Sequence, residues 1–584
     1  NTNPAFVMIL LTRFYRAIKS VYNMNQLEKI ISLAVIEMKA SPCSININNQ
    51  QNLNITPGMT ILEIAHKSFP DNYQNFMAAR LNGEIVDLNT KVTKPSDICF
   101  LDFSQPEGHR TYLRSLLFML SYSINALYPE AHLHVLHSMS DGLFCEITGI
   151  VNLTTEHLDN INQKMQELAR LNLSFEREIV DWDKAKNIFH RQNREDLNRL
   201  FRYWRTTAIT LYRLNKYYDY YYGPLCPSTG YIKNYGFVLV PPGFFLQYPR
   251  ATDPERLPTY VFRPKLFTTF QEAGQWAKIM EIKNVGDLNE SIVHGQGREI
   301  VSMTEAFHEK KIAQIADLIT QKRGSLKTVF IAGPSSSGKT TFARRLYIQL
   351  RVNGWKPETI SLDDYFISKK DIKTWDNQYY ERPEALDLEL FEQQIEELID
   401  GKEVEIPRYN FITGSREPKG AKMQLGHDGI IIIEGLHALN PLLSKNIPEE
   451  RKFKIYASAI TQLNIDNHNR MSTTDCRLIR RLVRDSQFRG STTEEVFKTW
   501  LHVHAGEEKY IFPYQEDADI FFNSSLIYEL SILRQYAEPL LRAITPENET
   551  YLEAYRLYAF LNNFIPLQSS FVPSNSILRE FIGT

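Results

Sequence analysis

Thr328-Val329-Phe330-Ile331-Ala332-Gly333-Pro334-Ser335-Ser336-Ser337-Gly338-Lys339-Thr340-Thr341 is the stretch that decides the fold of this chain. Its first five residues are an apolar, β-branched run of the kind that forms a buried strand. Residues 333–340 fit the G-x-x-x-x-G-K-[ST] phosphate loop, and Thr341–Leu350 continues with helical character. Glycines let such a loop wrap closely around phosphate oxygens, and its N–H groups and the helix N-terminus favour negative charge. Gly333, Pro334, Ser335, Ser336, Ser337, Gly338, Lys339, Thr340 and Thr341 are therefore expected to bind the phosphates of a nucleotide. Lys339 would reach the β- and γ-phosphates, and the Thr340 hydroxyl would ligate Mg2+.

Two strand ends downstream supply carboxylates. Thr359–Phe366 reads as a second strand ending in Asp363-Asp364, and Gly429–Gly435 as a fully buried parallel strand ending in Glu434. Acids at strand C-termini face the ligand crevice of an open α/β sheet. Asp363 is expected to accept the proton of an attacking hydroxyl and, with Thr340 and Glu434, to hold the metal. Arg477, Arg480, Arg481 and Arg484 fall at i, i+3, i+4 and i+7, one face of a helix, with Arg489 just beyond. Such a face can act as a lid that neutralises transition-state charge.

Composition bounds the rest. The 584 residues exceed one hydrophobic core, and 43% hydrophobic with 23% charged is an ordinary globular balance. A net charge of −2 gives no global basic field for nucleic acid or anionic membrane. Cys43, Cys99, Cys145, Cys226 and Cys476 lack disulfide or zinc spacing, so free thiols in the cytoplasm are expected. No apolar run approaches the ~20 residues of a membrane span. The start at Asn1 is read as a processed or artificial end.

The ordered series Gly333–Thr341, Ser361–Phe366, Tyr380–Asp387, Ile406–Phe411 with Arg416, Glu434-Gly435 and the arginine helix resembles the uridine kinase and phosphoribulokinase family. The resemblance implies transfer of the ATP γ-phosphate to a sugar hydroxyl, in uridine kinases the 5′-hydroxyl of uridine or cytidine. By resemblance Asp363 is the base, Glu381 binds ribose, Tyr409 and Phe411 line the nucleoside pocket, Tyr365 and Arg416 join the substrate site, and Arg477 and Arg481 are lid arginines with Lys339 in catalysis. Three positions depart from the family: Gly414 replaces a pyrimidine-contacting histidine, Asn410 stands for Asp, and Arg489-Gly490-Ser491 replaces Arg-Gly-Arg. Base specificity stays open at this point.

The front half resembles parts of threonyl-tRNA synthetases: a TGS-like β-grasp module over 41–104, then the editing (second additional) domain over 105–250. The latter rests on Leu127-Tyr128-Pro129, Asp141–Phe144, Leu153–Met165 and Asp219–Gly230. The editing His-x-x-x-His and Cys-x-x-x-His pairs are absent, with Arg114 and Phe118, then Tyr221 and Leu225, in their places. His132, His134 and His137 are read as ordinary histidines, and with a phosphate-loop unit following, a synthetase is excluded.

The expected organisation is a helical extension over 1–40, the two front modules, a linker and helix over 251–322, an α/β phosphate-loop kinase over 323–542 with a parallel sheet and flanking helices, and an apolar tail over 543–584. The expected activity is an ATP- and Mg2+-dependent nucleoside kinase of pyrimidine salvage. Alternatives are a kinase for another nucleoside or sugar phosphate, and a non-catalytic ATP-switched RNA- or nucleotide-sensing protein. The front modules are candidates for binding RNA or a small ligand, no membrane partner is expected, and homo-oligomerisation is left open.

Overall fold

The computed structural model describes residues 43–48, 51–139, 142–204, 206–372, 379–410, 413–417, 419–461 and 463–583. The expected helix over 1–40 lies outside them. Thr328–Ala332 is the wholly buried central strand of a five-stranded sheet. Gly429–Glu434 and Lys452–Ser458 flank it, with Lys356–Ser361 and Ile520–Asn523 at the edges, and every pairing is parallel. The chain fills one side of the central strand and then the other, so the strand C-termini open on a crevice at the switch point. The helix after the loop runs Lys339–Val352, starting two residues earlier than expected. The expected strand Thr359–Phe366 is instead Lys356–Ser361, followed by the 3₁₀ turn Leu362–Tyr365. Its ladder with Gly429–Glu434 stops at Ser361↔Glu434, and that puts Asp363 in the turn above the sheet.

Residues 43–102 form a mixed sheet in the order Gln51–Ile55, Cys43–Ile47, Ser96–Asp102, Phe76–Leu81, Glu84–Val86, packed on the helix Ile61–Ser68. Its central pair is parallel and its flanks are antiparallel, the β-grasp arrangement. The Asn82-Gly83 hairpin closes with both residues at positive φ, 49° and 90°, as a two-residue type I′ turn demands. Residues 106–247 are an α+β unit: a long helix Pro106–Leu127, a four-stranded antiparallel sheet, the helix Thr155–Leu171 and a smaller three-stranded sheet. Arg114 donates to the carbonyl of Pro224, while Phe118, Tyr221 and Leu225 are buried together in this unit's core. Three of the four positions that stand in place of the editing pairs are thus core residues. His137 stacks on Phe270, and burial pushes it down to about 3.

Residues 264–321, read from sequence as linker and one helix, form three helices, Pro264–Ile279, Val285–Val293 and Gly297–Gln321. Ile312, Ile315 and Ile319 share a core with Val329 and Ile331, so this segment belongs to the body of the phosphate-loop unit. The tail adds the helix Tyr551–Leu561 and the short helix Arg579–Ile582, and Phe564, Ile577, Leu578 and Phe581 enter the same core.

One segment of the phosphate-loop unit, 463–472, seats itself in the α+β unit. Asn464 donates to Val135 O and Leu136 O, and the Val135 N–H donates to Asn467 O. Behind it Arg194, 2% exposed, pairs with Asp196 at 2.9 Å, Asp219 at 2.8 Å and Asp466 at 3.4 Å, and His468 meets Asp219 at 2.6 Å. Burial alone would raise Asp219, but His468 and Arg194 together hold it below the ordinary carboxylate range. Burial keeps Asp466 raised. No helix among the described residues is long and apolar enough to cross a membrane.

Candidate active site

The loop sits on a tight turn that only glycine permits at its start. A Cβ on Gly333 would lie 1.9 Å from Ala457 O. Ser336 at φ 58° and Gly338 at φ 82° turn the backbone into the concave form suited to an anion. Lys339 Nζ donates to Gly333 O at 2.9 Å and Pro334 O at 3.1 Å, inside the loop's own curve. Burial depresses the Lys339 amine, and Glu434, Asp363 and Glu580 oppose that shift. The hydroxyls of Ser336 and Ser337 are buried without a hydrogen-bond partner, as donors awaiting phosphate would be.

A cavity of about 950 Å³ opens over this loop. Glu434 faces it from the end of its strand and Asp363 from the turn that follows its own. Glu434 accepts from Ser361 Oγ at 3.1 Å and from Thr340 Oγ1 at 3.4 Å. Burial, reinforced by Asp363, pushes Glu434 up to about 7. Burial also raises Asp363, while Lys339, Arg489 and Arg484 pull it back. Two carboxylates and one hydroxyl fit Mg2+, which takes one or two protein carboxylates and leaves its other positions to water and phosphate. Among the described residues no three His, Cys, Asp or Glu side chains gather as a metal site.

The arginine helix, Thr473–Phe488, divides its cations. Arg481 and Arg484, with Arg489, line the cavity. Arg477 does not. It is 2% exposed, pairs with the fully buried Glu507 at 2.5 Å and donates through Nε to Ser335 O at 3.1 Å. Arg480, also fully buried, pairs with Glu529 at 2.5 Å. The four share a face, but its centre packs on the body and needs counter-charges, and only its edge reaches the crevice. Arg477 therefore corrects the expectation of a lid arginine: it braces the loop from behind.

Glu507 completes that brace by accepting the Ser335 N–H at 2.8 Å. Sequence reading missed it, although a signal existed. Val496, Trp500, Val503 and Glu507 follow one buried stripe of the helix Thr493–Tyr510, and a carboxylate on an apolar stripe needs a buried partner.

On the acceptor side, Glu381, Tyr380 and Phe366 line the cavity. Burial pushes Glu381 up to about 7, against the pull of Arg481. Gly506 lets Glu381 approach, since a Cβ there would lie 2.5 Å from Glu381 Cβ. Three expected substrate residues sit elsewhere. Tyr365 points into the core and donates to Gln394 Oε1 at 2.8 Å, leaving its neighbour Phe366 at the cavity. Arg416 pairs with Asp387 at 3.0 Å and donates to the carbonyls of Tyr365 and Phe366, clamping the turn that carries Asp363. Tyr409 lies behind Tyr380, their hydroxyls 2.8 Å apart. Phe411 falls outside the described residues. Gly414 has φ 64°, and a Cβ there would meet the Lys369 stem at 2.7 Å.

Residues 328–529 match the model of the Phosphoribulokinase / Uridine kinase family. The C-terminal unit is a kinase domain of that family. A uridine kinase from Deinococcus deserti is 28% identical over 193 residues, 32% of this chain and 84% of that protein. The N-terminal region matches threonine–tRNA ligases, that of Clostridium tetani at 26% identity over 197 residues. That match takes in 32% of this chain, and the chain spans about 30% of the ligase's length. Among solved structures, a possible uridine kinase from Bacillus stearothermophilus aligns at 18% identity over 34% of this chain and 89% of its own, with a TM-score of 0.24.

Proposed function

We propose that the protein is a nucleoside kinase that transfers the ATP γ-phosphate to the 5′-hydroxyl of uridine, and of cytidine, in cytoplasmic pyrimidine salvage. The observation that carries this reading is the convergence of Lys339, Asp363, Glu434 and Arg481 on one cavity over the phosphate loop. Mg2+, held by Thr340, Asp363 and Glu434, would supply charge neutralisation at the transferring phosphoryl group. Asp363 takes the proton of the sugar hydroxyl as its oxygen bonds to phosphorus. Glu381 orients the ribose. Lys339, Arg481 and Arg484 offset the negative charge that develops as the bridging bond to the leaving phosphate breaks. The front modules would bind RNA or a small ligand.

A second reading moves the acceptor to another nucleoside or a sugar phosphate. It is favoured at Gly414, where the left-handed backbone and the Lys369 stem leave no place for a histidine. The test is direct detection of phosphorylated product from ATP with uridine, cytidine, adenosine, guanosine, inosine, thymidine and ribulose 5-phosphate. UMP or CMP formation, abolished by Lys339→Ala in a folded chain, is the expected result. Turnover with another acceptor alone moves the substrate to the second reading. ATP binding with silence on every acceptor refutes the kinase reading and leaves a sensing protein.

A further inference from the structure

The first-turn N–H groups of a helix have no intrahelical acceptor, and the phosphate-loop helix offers them to anions. In this chain one of them already has an anion. Glu580 Oε2 accepts from the Thr341 N–H at 3.3 Å and from the Thr341 hydroxyl at 2.8 Å. Thr341 directly follows the Lys339-Thr340 pair, where the loop presents donors to nucleotide phosphate. Glu580 is carried by the short helix Arg579–Ile582, and the same segment supplies Ser574, Asn575 and Arg579 to the cavity wall. Ile577 lies over the loop itself, its Cγ2 2.6 Å from where a Cβ on Gly338 would be.

The segment is firmly seated around that contact. Ile577, Leu578 and Phe581 are fully buried, and Arg480 of the arginine helix lies 5.0 Å over the Phe581 ring. Arg579 folds the segment back on itself by donating to the carbonyls of Ser569, Val572 and Gly583. Glu580 is held over the helix N-terminus by its neighbours, and only its side chain is free to turn away.

We propose that Glu580 is an internal phosphate mimic that gates the nucleotide site: its carboxylate occupies an anion position of the loop and must swing out for nucleotide to bind. This rests on the reading of the cavity as a nucleotide site. Two anions cannot share the Thr341 donors, because like charges at that separation repel and one hydrogen-bond set serves one of them. The swing is a side-chain rotation, since the buried residues on either side keep the segment in place. Through Phe581 and Arg480 the gate is mounted on the helix that carries Arg481 and Arg484, so its position and that of the cavity arginines are linked.

The experiment is equilibrium binding of MgATP to the full chain, for the unaltered protein, Glu580→Gln and Lys339→Ala. A charge-assisted hydrogen bond released on nucleotide entry corresponds to about tenfold in affinity, so E580Q is expected to bind MgATP about tenfold more tightly. Carboxyl labelling of the unaltered protein, read by mass spectrometry, checks the same idea without a variant: Glu580 is expected to become more reactive when MgATP is added. Equal or weaker binding by E580Q, where K339A still weakens it, overturns the gate and leaves the nucleotide site standing. Unchanged Glu580 labelling at saturating MgATP overturns it equally. Absence of any Lys339-dependent ATP binding overturns the nucleotide site, and the gate with it.

Discussion

Replacing Gly506 by alanine sets two effects of opposite sign against each other. In the interior of the helix Thr493–Tyr510, an alanine with free space around it would stabilise by about 0.8–1.0 kcal/mol. Space is not free here, because the new methyl would stand 2.5 Å from Glu381 Cβ and 3.2 Å from its Cγ. Ordinary carbon contacts lie at about 3.5–4.0 Å, so Glu381 or the helix must yield by about 1 to 1.5 Å. Glu381 is the softer side, since it rides on the short 3₁₀ turn Tyr379–Glu381 and not on the sheet. A misplacement of that size in a group that orients a substrate costs on the order of 100-fold in rate. The expected result for G506A is therefore a fall of about two orders of magnitude in kcat/KM for the acceptor, with MgATP affinity unchanged. Steady-state kinetics in the acceptor, alongside direct ATP binding, measures both. A variant that melts higher and keeps its acceptor kinetics would refute the role given to Glu381.

Two further outcomes follow from buried charge. Glu381 titrates near 4.5 when unfolded and near 7 when folded, so its contribution to stability is full below about 4.5 and is lost as pH rises to about 7. E381Q should flatten that window, removing a pH-dependent loss of at most about 3 kcal/mol in thermal unfolding profiles, and a variant profile parallel to the parent's would contradict it. Arg194→Met leaves Asp196, Asp219 and Asp466 buried without their cation, which should cost about 3–5 kcal/mol and speed proteolysis within 463–472. A melting midpoint equal to the parent's would show that these carboxylates neutralise at no expense.

The five-stranded parallel sheet was the most legible part of the chain because its signals are local. Thr328–Ala332 and Gly429–Glu434 are short continuous apolar runs of the kind that form buried strands; the first leads into the phosphate loop and the second ends at Glu434 of the cavity. Asp363 was legible for the same reason, although its strand ends at Ser361, since pairing with the neighbour and not propensity sets the last ladder rung. The arginine face illustrates where local pattern stops. Spacing places Arg477 and Arg481 together, but whether a guanidinium meets phosphate or Glu507 depends on a helix that packs from 30 residues further on. Tyr365 and Phe366 are likewise adjacent and both buried, and only tertiary packing, Tyr365 against Gln394, decides which one reaches the cavity. Of the three helices between 264 and 321, only the last was read as a helix; the stretch before it was read as linker because prolines interrupt it, and only tertiary burial sets its helices apart. Glu580 left no local sign at all, because its partner Thr341 is 239 residues away.

The segment 463–472 carries a consequence for how this chain can be divided. Multidomain proteins are commonly treated as interchangeable cassettes, each movable to a new neighbour. Here the piece that matches a family, 328–529, lacks Ile312, Ile315 and Ile319, which close its core, and strips Asp466 and His468 of Arg194 and Asp219. Excised at those limits it would expose an apolar flank and two ionisable groups evolved for a dry setting. The same cut would leave the α+β unit with Arg194 facing solvent where Asp466 had been. The modules are therefore no longer separable parts: recombination at the visible seams would be purged, and the front half can diverge in function only while it keeps the surface that the kinase body leans on.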